Sequence, residues 1–226
     1  MRVSKRQLKR IIREEKNKLI AETKLRRTIR RVIREAAGDL GESASVAELE
    51  AIAKDPSTPL NVLQQLASNK GQQYRFVRQA VAEHPNVSPE LLEELSSDSE
   101  KGPVFAVAEN PKTPVETLKK LASHENAGVR REVAQNAGAT ADILMQLVTD
   151  PDRKDSAEGF YSVRRRVAGN PSTPPGGLQK LATDQNKYVR IAVAQNPSTS
   201  PETLEQLMDD SVATVRNKAK KNLKSR

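Results

Sequence analysis

The sequence contains no cysteine and no tryptophan, and aromatic residues make up only 3% of its 226 residues. Without cysteine, the chain cannot form a disulfide, a cysteine-ligated zinc or iron–sulfur site, or a cysteine nucleophile. With so few aromatic side chains, stacking platforms for bases or sugars are not expected. No apolar run approaches the roughly 20 residues that cross a bilayer, and the charged N-terminus lacks the apolar core of a signal peptide. We therefore expect a soluble, cytoplasmic protein that is not secreted and that carries no metal or cofactor.

Positive and negative charges are unevenly distributed along the chain. Residues 1–37 hold 14 Lys/Arg and 4 Glu, which gives a net charge of +10. Residues 38–210 hold 18 Lys/Arg and 25 Asp/Glu, a net charge of −7, and residues 211–226 hold 6 Lys/Arg and no acid. The overall charge of +9 therefore describes two basic ends around a mildly acidic middle.

A short unit recurs along the middle of the sequence, and the same interval separates most of its copies. Each copy is anchored at one position, mostly proline: Pro56, Pro85, Pro111, Ala137, Pro171 and Pro197. Leucine follows seven residues after every anchor, at Leu63, Leu92, Leu118, Leu144, Leu178 and Leu204, and ten residues after it, at Leu66, Leu95, Leu121, Leu147, Leu181 and Leu207. Most copies then carry a Val-Arg pair and, four residues further, a Val-Ala pair.

Each unit predicts two short helices. A Ser or Thr followed by Pro begins the first helix, because the hydroxyl caps a free amide and Pro is tolerated in the first turn. These starts are Thr58, Ser88, Thr113, Thr173 and Ser200. The leucine pair is the buried stripe of the first helix, the valine pair is that of the second, and the next Asn-Pro ends the second helix. Neighbouring units must stack to bury these stripes, which predicts an all-α solenoid.

The repeated unit resembles that of the leucine-rich repeat variant family. The match is clearest from Asn170 to Ala194, which reads NPSTPPGGLQKLATDQNKYVRIAVA. The resemblance implies a right-handed, HEAT-like α-solenoid of about six repeats, with alternating α and 3₁₀-like helices and no enzymatic activity. Some family members carry an iron–sulfur cluster on N-terminal cysteines, which this sequence lacks. We divide the chain into a basic helical arm (1–37), a linker (38–48), the solenoid (49–223) and a basic tail (224–226).

A repeated arginine is the first candidate site. Equivalent positions of stacked units form a column, which comprises Arg78, Arg130, Arg164, Arg190 and Arg216, flanked by Arg131, Arg165 and Arg166. The column is either a positive stripe for phosphates or an acidic protein, or a structural feature in which each Arg pairs with an acid of the preceding loop, such as Asp98, Asp150 or Asp184. Asn recurs before four anchors, at Asn110, Asn136, Asn170 and Asn196, and is interpreted as a helix cap, with His84 as its replacement in the same position.

Two insertions fall in the same turn of the unit, so both lie on one edge of the solenoid. The gap from Leu66 to Val77 is longer by three residues, and the gap from Leu147 to Val163 is longer by eight, than the regular eight. Insertions on one edge often build a binding face. The longer one ends in Phe160 and Tyr161, which are candidate contact residues if it is more than a tolerated surface loop.

The N-terminal arm predicts a basic amphipathic helix. Its apolar residues follow a period near 3.5, and the pattern from Leu8 to Glu14 recurs from Ile29 to Glu35, three heptads later. Its candidate partner-binding or anion-binding residues are Lys5, Arg6, Lys9, Arg10, Arg13, Arg26, Arg27, Arg30, Arg31 and Arg34. Such a helix docks on a protein or its own copy, binds nucleic acid through phosphates, or lies on an anionic membrane; the missing Trp and Phe count against the membrane. The opening SKRQLKRIIREEKNKL also resembles the N-termini of marine bacteriophage proteins.

The sequence favours a non-catalytic scaffold or adaptor that binds a protein partner through the solenoid surface and the arm, with a phage virion or its assembly as one setting. The alternative is a sequence-independent nucleic-acid-binding protein that uses the arm and the Arg column. An enzyme resembling the HEAT-like alkylpurine glycosylases is less compatible, because the aromatic residues are few and do not follow the repeat.

Overall fold

The computed structural model describes residue 16 and residues 44–151 and 162–225. The predicted arm, apart from residue 16, and the loop with Phe160 and Tyr161 lie outside the described residues, so the structure does not place those candidate residues. The first helix described after residue 16 begins at Val46, and the last ends at Lys224.

Between residues 44 and 225, the described residues form thirteen α-helices and one short 3₁₀ helix, Gln72–Tyr74. The α-helices are α1 Val46–Ala53, α2 Leu60–Ser68, α3 Arg75–Glu83, α4 Pro89–Leu95, α5 Lys101–Glu109, α6 Val115–Leu121, α7 Ala127–Gln135, α8 Ala141–Leu147, α9 Val163–Gly169, α10 Pro175–Leu181, α11 Lys187–Gln195, α12 Pro201–Met208 and α13 Ala213–Lys224. The even-numbered helices carry the leucine pairs. Helices α3, α7, α9 and α11 carry the valine pairs, whereas Pro103 replaces the first valine on α5 and Ala219 the second on α13. Six two-helix units thus follow α1.

The helices are arranged in two rows. Helices α1, α3, α5, α7, α9, α11 and α13 pack side by side in sequence order, and we call them the odd row. The even-numbered helices, the even row, pack against the odd-row helices that follow them. The predicted all-α solenoid is thus confirmed. The packing from α7 to α9 continues across the longer insertion.

The core lies between the two rows and consists of the residues that the repeat predicted. All twelve repeat leucines are buried, and so are both valines of the Val-Arg and Val-Ala pairs. Full burial of one such side chain contributes about 1.5–3 kcal/mol. Because no two-helix unit buries its own stripe, this stabilisation depends on stacking.

Two expectations about the even row are corrected. Its helices are α-helices, and the only 3₁₀ helix among the described residues lies in the shorter insertion. The second correction concerns where these helices begin. Relative to its Pro, a helix after a Thr-Pro pair begins one residue later than a helix after a Ser-Pro pair. Ser88 and Ser200 cap α4 and α12 through their side chains, whereas the hydroxyl groups of Thr58, Thr113 and Thr173 donate to carbonyls at the end of the preceding odd-row helix, and a proline occupies the N-cap position.

The asparagine before each anchor caps the odd row and links neighbouring units. The amide of Asn136 donates to the carbonyls of Ala108 and Asn110 in the preceding unit, and its oxygen accepts from the N–H of Gly138. The same pattern holds at Asn170 and Asn196. His84 substitutes for the asparagine, since its Nδ1 accepts from the N–H of Asn86 and its Nε2 bonds the carbonyl of Asp55. The predicted capping role is therefore observed.

Candidate functional site

Four arginines of the column form buried ion pairs between neighbouring units. The pairs are Arg78–Asp98, Arg130–Asp150, Arg164–Asp184 and Arg190–Asp210, with Nε–Oδ2 distances of 2.5, 2.6, 2.7 and 2.6 Å. The side chains are only 3–16% exposed on the arginines and 3–8% on the aspartates. We call these four pairs the Arg–Asp ladder. Its members are neutralised, so they do not form an open positive stripe.

The remaining donors of each ladder arginine bind the loop before its own helix. Nη1 of Arg130 donates to the carbonyls of His124 and Glu125 at 2.7 and 3.0 Å, and Nη1 of Arg190 donates to those of Asp184 and Gln185. The acid that the sequence placed in the preceding loop therefore lies in the following loop, and the preceding loop supplies carbonyls instead. Each arginine thus connects three consecutive segments of the array.

Two of the ladder pairs, Arg78–Asp98 and Arg190–Asp210, have shifted pKa values. Burial raises the pKa of Asp98, but the hydrogen bonds from Arg78 and from the N–H of Glu100 outweigh it, and the pKa is below its ordinary value. The hydrogen bond from Arg190 likewise lowers the pKa of Asp210. The same bonds raise the pKa values of both arginines. Both partners therefore remain charged at neutral pH.

The two positions of a ladder pair change together where the ladder is interrupted. Val104 occupies the arginine position on α5, and His124 occupies the matching aspartate position. Leu49 on α1 and Asn69 have the same relation. Nδ1 of His124 accepts the N–H of Asn126, as Oδ1 of Asp98 accepts that of Glu100, so the loop keeps its hydrogen bond without a carboxylate. At the aspartate position of the unit, a buried carboxylate is thus present only where an arginine forms an ion pair with it.

Three further candidates of the column have other surroundings. Arg216 donates through Nη1 to the carbonyls of Asp210 and Ser211. Arg131 pairs with Glu132 at 3.2 Å. Arg165 lies in the wall of a pocket on the odd row, where it is accompanied by Arg166.

The pocket has a volume of about 560 Å³ and crosses the C-terminal ends of α7, α9 and α11. Gln135 and Gln195 border it on the two outer helices, and Arg165, Arg166 and Gly169 line it on α9. Four other units have Glu or Gln at the position of Gly169 and the last has Lys221, and a Cβ added to Gly169 would meet no atom within 4 Å. The missing side chain at this position therefore contributes to the open space.

Arg166 is the one guanidinium of this pocket that has no partner in the described ranges. Its Nε is buried without a hydrogen-bond acceptor, and none of the ion pairs or side-chain hydrogen bonds within 44–151 and 162–225 includes it. Glu132, at the equivalent position of α7, directs its carboxylate to Arg131 and Gln135. A buried donor without an acceptor costs about 1–3 kcal/mol, and more when it is charged. Such a group calls for an explanation in a protein whose ladder arginines are all paired.

Sequence reasoning placed Arg166 beside the column and did not separate it from the ladder. The signal was available, because VRRRVAGN on α9 differs from VRIAVAQN on α11 by a cation where Ala192 stands and by a glycine where Gln195 stands. That this exchange opens a cavity depends on the spacing of three helices, which the sequence does not contain.

The described residues were also compared with the requirements of a metal site and of a membrane-spanning helix. No group of three or more His, Asp or Glu side chains there is arranged to hold a metal ion. Each of the two histidines has a ring nitrogen in a loop or capping hydrogen bond. Within the same residues, no helix has the length and apolar character that crossing a membrane requires.

The two-row packing and the repeated buried stripes define a helical repeat protein of the α-solenoid class. Residues 47–104 match the family model described as "Leucine Rich Repeat Variant domain", and residues 189–212 match "Leucine rich repeat variant". Both matches agree with the resemblance of the repeated unit to the leucine-rich repeat variant family. No curated protein matches the chain.

Two solved structures are similar to the chain over most of its length. One is "a leucine-rich repeat variant with a novel repetitive protein structural motif", 23% identical, covering 88% of this chain and 83% of that one, with a TM-score of 0.43. The other is the designed armadillo repeat protein YIII(Dq)4CqI, 13% identical, covering 86% of this chain and 98% of that one, with a TM-score of 0.39. Both TM-scores are below 0.5, and the likeness to the leucine-rich repeat variant family rests on the two sequence matches.

Proposed function

We propose that the protein is a non-catalytic scaffold that binds a protein partner through the exposed surface of the odd row, with the cationic arm as a second contact. Helical repeat folds are typical of protein-interaction scaffolds, because stacked units present extended surfaces. A place in a bacteriophage particle or its assembly is part of the proposal and is supported only by the resemblance of the arm's opening.

The observation that carries the proposal is a row of variable side chains on a constant core. The residue after each column position is at least partly exposed in all six units, and it is Gln79, Phe105, Arg131, Arg165, Ile191 and Asn217 in turn. The buried positions of the same helices repeat almost without change. Stability does not require this variation, whereas recognition of one irregular protein surface does.

A cross-linking experiment on the full-length chain tests the proposal. The odd-row variant Gln79→Glu, Arg131→Glu, Asn217→Glu should lose a partner that wild type captures from the extract of the organism that encodes it. The matched control Gln64→Glu, Lys119→Glu, Gln179→Glu makes the same charge change on exposed even-row positions and should keep that partner. Failure of wild type to cross-link one reproducible partner, or equal capture by the odd-row variant, contradicts the proposal.

Sequence-independent nucleic-acid binding is the second candidate, and the net charge of +10 on residues 1–37 is the observation that favours it. It depends mainly on the arm, because four members of the Arg column are neutralised by carboxylates. Neutralising Arg26, Arg27, Arg30 and Arg31 to Gln should then weaken binding and reduce its salt dependence. A filter-binding salt titration decides: no retention of DNA or RNA at about 50 mM salt removes this candidate.

A further inference from the structure

We propose that the pocket across α7, α9 and α11 binds the carboxylate of a Glu or Asp side chain of the protein partner, and that Arg166 is the group that binds it. This inference rests on the proposed function and names the chemistry that the partner brings to one position of the odd row. The pocket, the unpaired guanidinium and the internal precedents of the ladder each support it.

Arg166 differs from the ladder arginines because its Nε has no hydrogen-bond acceptor. Its Nε is buried and bonds no acceptor, while every ladder arginine bonds a carboxylate through the same atom. Arginine presents a planar fork of donors that matches a carboxylate. The ladder therefore shows four times, in this chain, which ligand such an arginine takes when it is withdrawn from water.

The pocket beside the Arg166 guanidinium is large enough for a ligand side chain. A volume of about 560 Å³ accommodates a side chain with part of its main chain. Gly169 leaves this space open where Glu83, Glu109, Gln135 and Gln195 stand in other units. Gln135 and Gln195 flank the cavity and can bond main-chain groups of a segment that crosses it.

The residues at positions equivalent to Arg166 favour a carboxylate over a nucleic-acid phosphate as the ligand. A phosphate backbone needs several cations in register. The positions equivalent to Arg166 in the neighbouring units are Ala106, Glu132 and Ala192, so the cation is isolated along the row. Arg165 also lines the pocket, but both cations belong to α9 alone, which fits one carboxylate better than a polyanion.

The experiment titrates full-length protein with glutarate, a dicarboxylate that mimics a glutamate side chain, while the arginine Nε–H resonances are followed by NMR. We expect a saturable shift of one resonance, assigned to Arg166 by its loss in Arg166→Gln. Gly169→Gln fills the cavity and should weaken glutarate binding at least tenfold. Lys218→Gln removes a cation at the equivalent position of α13, outside the pocket, and should bind as wild type does.

Each other outcome is informative about one proposal. The absence of a saturable shift, or its persistence in Arg166→Gln, overturns the assignment of the pocket. Phosphate that binds as tightly as glutarate overturns the carboxylate assignment. If glutarate binds at Arg166 but no partner is captured, the scaffold proposal fails and the site stands; if the captured partner binds Arg166→Gln as tightly as wild type, the site proposal fails and the scaffold stands.

Discussion

At the scale of single residues, two neighbouring arginines of α9 have opposite relations to the fold. Arg164 bonds Asp184 through Nε at 2.7 Å, and both side chains are largely buried. Arg166 has a buried Nε and no acceptor. The same residue type is thus a structural connection at one position and an unsatisfied donor two positions later, so only contacts distinguish the roles.

This contrast predicts opposite effects of one substitution on stability. Arg164→Met leaves the carboxylate of Asp184 without its ion-pair partner and should lower the free energy of unfolding by about 3–5 kcal/mol. Arg166→Met removes a buried donor that bonds nothing and should leave stability unchanged or raise it by about 1 kcal/mol. Urea unfolding followed by circular dichroism measures both. A comparable loss in the two variants would show that Arg166 is structural and would weaken the case for the pocket.

At the scale of elements, the Arg–Asp ladder joins units that are otherwise held together by apolar stripes and the asparagine caps. The sequence separation of arginine and aspartate is the same in all four pairs, because it spans the turn at one anchor and one even-row helix, a part of the unit without insertions. Both insertions lie in the loop that connects an even-row helix to the next odd-row helix. The array therefore accommodates extra residues without changing the spacing of its ion pairs.

The pair Val104 and His124, which replaces Arg and Asp, allows a test of this coupling by exchange. Arg78→Val should lower the free energy of unfolding by about 3–5 kcal/mol because Asp98 is left unpaired. Adding Asp98→His reproduces the Val104 and His124 pair in another unit and should recover most of that loss, with a coupling energy of about 1–3 kcal/mol. The measurement is a double-mutant cycle in urea.

The reverse exchange is the matched control. Val104→Arg buries a cation opposite His124 and should destabilise the protein, and the further change His124→Asp should restore stability. Additive effects in either cycle would mean that the two positions do not act as a pair, although the ladder bonds them in four other places.

Some features of the structure follow from the sequence, and others depend on how the helices stack. The leucine and valine stripes and the capping Asn follow from local periodicity and were predicted with their burial. The direction of each ion pair was wrong, because acids lie on both sides of an arginine in sequence and only stacking selects the following loop. The Thr-Pro starts were wrong by one residue, because a hydroxyl can close the preceding helix or begin the next one. The pocket was missed because it arises from the absent side chain of Gly169 in the frame of three helices.

At the scale of the whole molecule, the repeated ladder should make the stability of the array depend on acidity. The pKa values of Asp98 and Asp210 are lowered in the folded chain, so folding favours their charged forms. This stabilisation is fully present above the ordinary aspartate pKa of about 3.9 and is lost as the pH falls through the lower folded values. Because each unit contacts only its neighbours, the losses at the two interfaces that hold Asp98 and Asp210 should add.

We therefore expect the urea midpoint of the full-length protein to fall steeply from pH 5 towards pH 3. The variant Arg190→Gln, Asp210→Asn keeps a hydrogen-bonded pair without charges and should show a shallower fall, since one interface no longer contains a carboxylate to protonate. Neutralising Lys120 and Glu93, whose side chains are 66% and 58% exposed, should change stability by less than about 1 kcal/mol at either pH. Equal pH profiles for the wild type and the buried-pair variant would show that the ladder does not control acid stability, and the resistance of the array to acid would then have to come from its apolar stripes.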